Sequence, residues 1–131
     1  MKFTTKQINV RYCETDQMHF VHHSNYLKYF ELARLEWLSN LKISYAEMEN
    51  QGILMPVVSA SLKYIKPLIF GDNFNVTVIL KKKPKATLDF DYKILNQNKE
   101  LNCEGYTSLA FLSPKTKLPM RCPKFLLDKF N

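Results

Sequence analysis

The chain has 131 residues, 46% hydrophobic and 13% aromatic, with 19 Lys and Arg against 12 Asp and Glu and a formal net charge of +7. That length suits one domain with a proper core, and that composition excludes a disordered or fibrous chain. The charge bears on partners rather than fold: nucleic acid, an anionic membrane surface or a polyphosphate ligand would each suit it.

Met1-Lys2-Phe3 leads straight into an alternating pattern, so no signal peptide is expected. No stretch approaches the roughly 20 apolar residues that a membrane span needs. Residues 2–12 read as one half-buried strand, with Ile8, Val10 and Tyr12 on one face. The polar loop 13–24 follows and carries Glu14, Asp16 and all three histidines, His19, His22 and His23. From Ser24 or Asn25 the period turns helical. Tyr26, Phe30, Ala33 and Trp37 share one face, and Leu27, Tyr29, Leu32, Leu35 and Leu38 add a second apolar flank. This predicts a helix to about Ser39 that is buried on most of its circumference. Ser44 and Glu47 make a capping box, Ile43 and Met48 its hydrophobic staple, and Gly52 a left-handed stop for a second short helix.

The period then becomes two. Strands are expected over 57–66, with Val58, Ala60, Leu62 and Tyr64 on one face, then over 74–80, 88–94 and 100–112. Turns fall at 70–73 and 96–99, and 124–130 predicts a last helical turn. The order β-α-α-β-β-β-β describes an α+β domain covering 1–131. One apolar helix followed by an antiparallel meander packs when the sheet curls around the helix. A sheet this small leaves an edge strand, which often pairs in a dimer.

The loop 13–24 carries the chemistry. Asp16 precedes a helix N-terminus, whose first N–H groups lack intrahelical partners and carry partial positive charge. A carbonyl held there is polarised, and a nearby carboxylate can attack it or activate water. By spacing alone, a plain turn or capping Asp is the better explanation, since capping Asp residues are common. H-x-x-H-H in a loop has no standard ligand spacing, so no metal is expected, and local adjacency cannot set up a Ser24–His–Asp triad. Cys13, Cys103 and Cys122 form neither a disulfide framework nor a metal motif and read as reduced thiols of a cytosolic protein. Glu31 with Lys28 and Arg34 reads as helix-surface pairing. The lysines at 81–85 read as a solvated strand end. A basic nucleic-acid binding module would rest on charge alone, without a binding motif.

The run from Thr15 to Glu31, TDQMHFVHHSNYLKYFE, closely resembles the signature of hotdog-fold acyl-CoA thioesterases of the 4-hydroxybenzoyl-CoA type, in their YbgC-like branch. Tyr64-x-x-Pro67-x-x-x-Gly71-Asp72 and Ala110-Phe111-Leu112-Ser113-Pro114 resemble later segments of the same family, in the same order. The resemblance implies a long central helix wrapped by a curved antiparallel sheet. It implies a homodimer joined through sheet edges, often a homotetramer, with sites at the subunit interface. Asp16 takes the place of the family's catalytic carboxylate, and the backbone N–H of His23 that of the oxyanion donor. His19, Val21 and Tyr26 are implied substrate contacts. Ser59, Ser61 and Lys63 would flank the pantetheine arm, and Arg121 and Lys124 the phosphates. Coenzyme A belongs to the substrate, and no cofactor or metal is implied. The family usually has glycine where His19 stands, which keeps a non-catalytic acyl-thioester-binding hotdog protein as an alternative; an acyl carrier protein thioesterase is a further alternative, since a basic surface suits either donor.

Overall fold

A computed structural model describes residues 1–130, the Tyr45 side chain excepted. In chain order the elements are β1 (Lys2–Thr4), β2 (Ile8–Asn9), α1 (Asn25–Asn40), α2 (Tyr45–Asn50), β3 (Val57–Tyr64), β4 (Asn73–Ile79), β5 (Thr87–Asn96), β6 (Leu101–Ala110) and α3 (Lys124–Leu127). The strands form one sheet in the order β1-β4-β5-β6-β3, with β2 also paired to β4; every pairing is antiparallel.

Alternation in β4 and β5 builds the inner face. Phe74, Val76 and Val78, then Leu88, Phe90, Tyr92 and Ile94, are all buried. α1 lays its aromatic stripe on them. Tyr29 packs on Phe74 with ring centroids 4.6 Å apart, Phe30 stacks on Tyr92 at 4.2 Å and 10°, and Trp37 meets Phe90 at 5.4 Å. β6 admits the helix through Gly105, where a Cβ would fall 2.2 Å from the Phe30 ring. This is the α+β hotdog arrangement, a long helix against an antiparallel sheet. The second helix forms as its cap predicts: the Ser44 hydroxyl accepts from the Glu47 N–H at 2.9 Å, Ile43 and Met48 are buried, and Gly52 has φ +75°.

Four features differ from the pattern reading. The first strand is two, broken at Thr5, whose backbone N–H and hydroxyl are both spent on Val76. Tyr12 leaves the sheet for a short 3-10 turn, Tyr12–Glu14, and its ring meets Phe70. The later strands do not form a simple meander either, since β3 pairs with β6 rather than β4. Leu68 explains this. It is fully buried, its N–H reaches the Tyr26 hydroxyl, and its carbonyl accepts from the Val21 N–H. The connection 65–72 is thereby drawn past the start of α1, and β4 enters on the far side of the sheet.

The second flank of α1 is only partly covered, with Leu27 41% and Leu32 50% exposed on the side away from the sheet. Arg34, expected on the surface with Glu31, is instead buried. Its guanidinium donates to the Tyr92 hydroxyl at 2.9 Å, and that hydroxyl shares a 2.6 Å bond with Thr107. A long aliphatic stem lets an arginine lie within a core and keep its head group bonded.

Candidate active site

A bridge between Thr15 and Val21 closes the polar loop into a small hairpin. Within it the Asp16 N–H donates to Phe20 O at 2.8 Å and the His19 N–H to Asp16 O at 3.0 Å. His19 has φ +63°. That left-handed position after a tight turn favours glycine, because a Cβ crowds the backbone there. Histidine is among the few side chains that tolerate it, so the loop keeps its shape without the family's glycine. The turn also orients the carboxylate. Asp16 Oδ1 accepts from the N–H of Met18 at 2.8 Å and of Phe20 at 3.3 Å. Among the described residues Oδ2 has no hydrogen-bond donor.

The start of α1 can be accounted for donor by donor, as buried or constrained backbone groups demand. The Phe20 N–H goes to Asp16, Val21 to Leu68 O, His22 to Glu14 O, Asn25 to His22 O and Tyr26 to His23 O. The Ser24 N–H goes to His22 Nδ1 at 3.2 Å, and the Ser24 hydroxyl lies 2.8 Å from the same nitrogen. Only the His23 N–H in this run has no acceptor among the described residues. Asn25, itself buried, donates from its side chain to Glu14 O at 2.8 Å and ties the helix start to the 3-10 turn before Asp16. No acidic side chain occupies the first turn of α1, so its positive end is left uncompensated.

Asp16 and His23 line one cleft of about 330 Å³, with Val21, Tyr26, Tyr64 and Lys66 among its other walls. Tyr26 and Tyr64 meet edge to face at 5.2 Å. Burial pushes the Tyr26 phenol above its ordinary range, so it is neutral and serves as wall and acceptor. Lys66 is ion-paired with Glu100 at 2.5 Å and holds that carboxyl below the usual carboxylate range. The cleft therefore offers a carboxylate oxygen and an unspent N–H beside aromatic and aliphatic surface.

Of the residues singled out from the sequence, Asp16, Val21, His23 and Tyr26 come together here. His19 is exposed at the turn and does not line the cleft. Ser59, Ser61 and Lys63 are exposed on β3 and, by strand alternation, face away from Tyr64. Arg121 and Lys124 belong to the opposite end of the sheet. Their neighbour Cys122 bonds Lys85 O, just before β5 begins at Thr87, and Thr87 pairs with Ala110. Tyr64, by contrast, pairs with Cys103. The eight residues of β3, at about 3.3 Å each, span roughly 25 Å between the two ends. Besides Met18 and Phe20, the cleft residues the sequence left without a role are Tyr64, Ile65, Lys66 and Pro67. Their signal was the Tyr64-x-x-Pro67 segment, which pattern reading treated only as the end of a strand. Among the described residues no three His, Cys, Asp or Glu side chains are placed to hold a metal ion, and no helix is long and apolar enough to cross a membrane.

The model of the thioesterase-like superfamily matches residues 10–130, and the chain belongs to that family. It is 33% identical over 128 residues to YneP of Bacillus subtilis, covering 98% of this chain and 93% of that protein, whose name assigns it provisionally to the acyl-CoA thioesterases. The acyl-CoA thioester hydrolase YbgC of Escherichia coli is 23% identical over 124 residues, covering 95% of this chain and 92% of its own. Among solved structures, the DHNA-CoA thioesterase of Staphylococcus aureus superposes with a TM-score of 0.88 at 35% identity, covering 97% of this chain and 85% of that one.

Proposed function

We propose that this chain, as one hotdog domain, hydrolyses acyl-CoA thioesters to coenzyme A and a free carboxylic acid, with Asp16 and the His23 N–H as the reacting pair. The observation that carries the assignment is that, among the described residues, the His23 N–H has no acceptor and Asp16 Oδ2 no donor, and that both residues line one cleft. The thioester oxygen sits on the His23 N–H, where the end of the helix dipole stabilises the charge that develops on it. Asp16 attacks the carbonyl carbon, or takes a proton from the water that does. The thiolate of coenzyme A departs as the tetrahedral intermediate collapses; the water route leaves the acid directly, and the Asp16 route leaves a mixed anhydride that a water then hydrolyses to the acid and the regenerated carboxylate.

The site works in a homodimer. β3 has an unpaired outer edge and, apart from Leu62 packed on the core and Tyr64 on Tyr26, is exposed along its length, which suits antiparallel pairing with a second copy. Such pairing runs the Tyr64 end of one β3 along the Val57 end of the other. Arg121 and Lys124 of the second copy then come toward the first copy's cleft, where the phosphates of coenzyme A need cations. The reaction needs no cofactor. Three free cysteines fit a reducing cytosol. Burial pushes the Cys103 thiol up to about 12 and that of Cys122 to about 11, which keeps both protonated and unreactive.

Release of free thiol from short, long and aromatic acyl-CoAs tests this, with the wild type beside Asp16→Asn. Turnover should fall by about a thousandfold in the mutant while acyl-CoA binding persists. Turnover indifferent to Asp16 would break the mechanism, and an inert wild type that still binds acyl-CoA would make the protein a carrier.

A further inference from the structure

The His23 N–H belongs to the peptide between His22 and His23. In a planar trans peptide the N–H points opposite to the C=O, so whatever holds His22 O also aims the His23 N–H. The holder is Asn25, whose backbone N–H donates to His22 O at 2.9 Å. The side chain of the same residue donates to Glu14 O at 2.8 Å. The His22 N–H donates to that oxygen as well, also at 2.8 Å. One carbonyl thus takes a bond from each side of the His22–His23 peptide. Glu14 is itself pinned: its N–H donates to Arg11 O at 2.9 Å, and its carboxylate accepts from the Arg11 N–H at 2.8 Å. It stands two residues before Asp16, next to the Thr15–Val21 bridge that closes the Asp16 hairpin.

We infer that Asn25 is a positioning residue for the oxyanion donor. Its backbone N–H sets the direction of the His23 N–H, and its side chain locks that direction to the segment that carries Asp16. This rests on the thioesterase reading above. Asp16 and the His23 N–H sit on different segments and work together only at a fixed mutual geometry. A donor aimed a little wrong forfeits transition-state stabilisation without weakening ground-state binding. The inference also explains why an asparagine is buried, 9% exposed, at the first position of α1. Burying an amide is costly unless it is bonded, and here the bond joins the two halves of the site.

Asn25→Ala removes the side-chain bond and leaves the backbone N–H in place. Should it fail to fold, Asn25→Leu fills the volume and carries the same test. We would measure kcat and KM for thioester hydrolysis, the melting temperature, and backbone ¹⁵N relaxation at His23. The control is Thr5→Ala, which loses one buried bond, from the Val76 N–H at 3.1 Å, outside the cleft. The expected result is a kcat about tenfold lower at unchanged KM, short of the roughly hundredfold or more that outright loss of an oxyanion donor costs, with faster motion at the His23 amide. Thr5→Ala should lower the melting temperature and leave kcat alone. An unchanged kcat in Asn25→Ala overturns the inference. So does a raised KM at constant kcat, which would make Asn25 a substrate contact, and so does an equal loss of kcat in Thr5→Ala, which would make the effect a general loosening. Relaxation is read without substrate. If the wild type releases no thiol, the thioesterase reading fails, while a His23 amide as rigid in Asn25→Ala as in the wild type still overturns the positioning role and a loosened one upholds it.

Discussion

β5 and β3 carry similar alternating sequences and meet opposite fates. In β5, Leu88, Phe90, Tyr92 and Ile94 all lie buried beneath α1 or the chain around it. In β3 no residue is buried, and Val57 and Val58 are 47% and 59% exposed. Propensity does not separate them, because β-branched and aromatic residues favour either position. What separates them is cover. α1 crosses β4, β5 and β6, touching the last through Gly105, and meets β3 at its Tyr64 end through Tyr26. Alternation records that a face is meant to be buried and is silent about whether the same chain or another buries it.

The comparison breaks most visibly at Gly105. Gly105→Ala drives a methyl into the Phe30 ring and should cost about 3 kcal/mol, the upper range for overpacking, read as a lower urea midpoint. A change within about 0.5 kcal/mol would mean that α1 rides higher on the sheet than 2.2 Å implies. On the open strand the expectation is reversed. Val58→Lys should cost less than about 0.5 kcal/mol in the unfolding of the monomer yet shift the proposed dimer to monomer in sedimentation velocity. A stability loss rivalling that of Gly105→Ala would place β3 inside the chain's own core.

The smallest effect lies just beyond β3, at Lys66–Glu100. The folded Glu100 carboxyl titrates below its ordinary value because of Lys66. Its contribution is therefore present above the unfolded carboxylate value of about 4.3 and is lost as pH falls through the lower folded one. Both side chains are well exposed, so the contribution is slight. Glu100→Gln should melt a little below the wild type at neutral pH, and the two curves should merge on acidification. A gap that persists in acid would assign the loss to the Asn96 bond that Glu100 also accepts.

Much of this could be read from sequence because it is local. The stripe of Tyr26, Phe30, Ala33 and Trp37 gave α1 to within a residue of its end, and Ser44 with Glu47 gave the start of α2. Partners across the sheet were not readable: period two assigns faces and says nothing of neighbours, so the pairing of β3 with β6 needed the buried Leu68. Arg34 was misplaced because a charge in a helix was taken for surface, when its stem could run under the helix to Tyr92. Asp16 and His23 stood out by resemblance rather than spacing. Tyr64 was quoted only as part of the Tyr64-x-x-Pro67 segment, because its place in the cleft depends on contacts with Tyr26 and His23 far back in the chain.

The placement of β3 also orders events in time. β4, β5 and β6 follow one another and pair through short connections, so they can form a three-stranded unit early. β3 is synthesised before all of them but must wait for β6, the last strand made. Closing that long loop is an entropic cost met late, and topologies rich in distant pairings fold slowly. Until it closes, Val57 and Val58 travel with both strand edges open, not one. A growing chain therefore exposes its stickiest segment for longest, and a ribosome-bound chaperone should contact it from the emergence of β3 until β6 clears the exit tunnel.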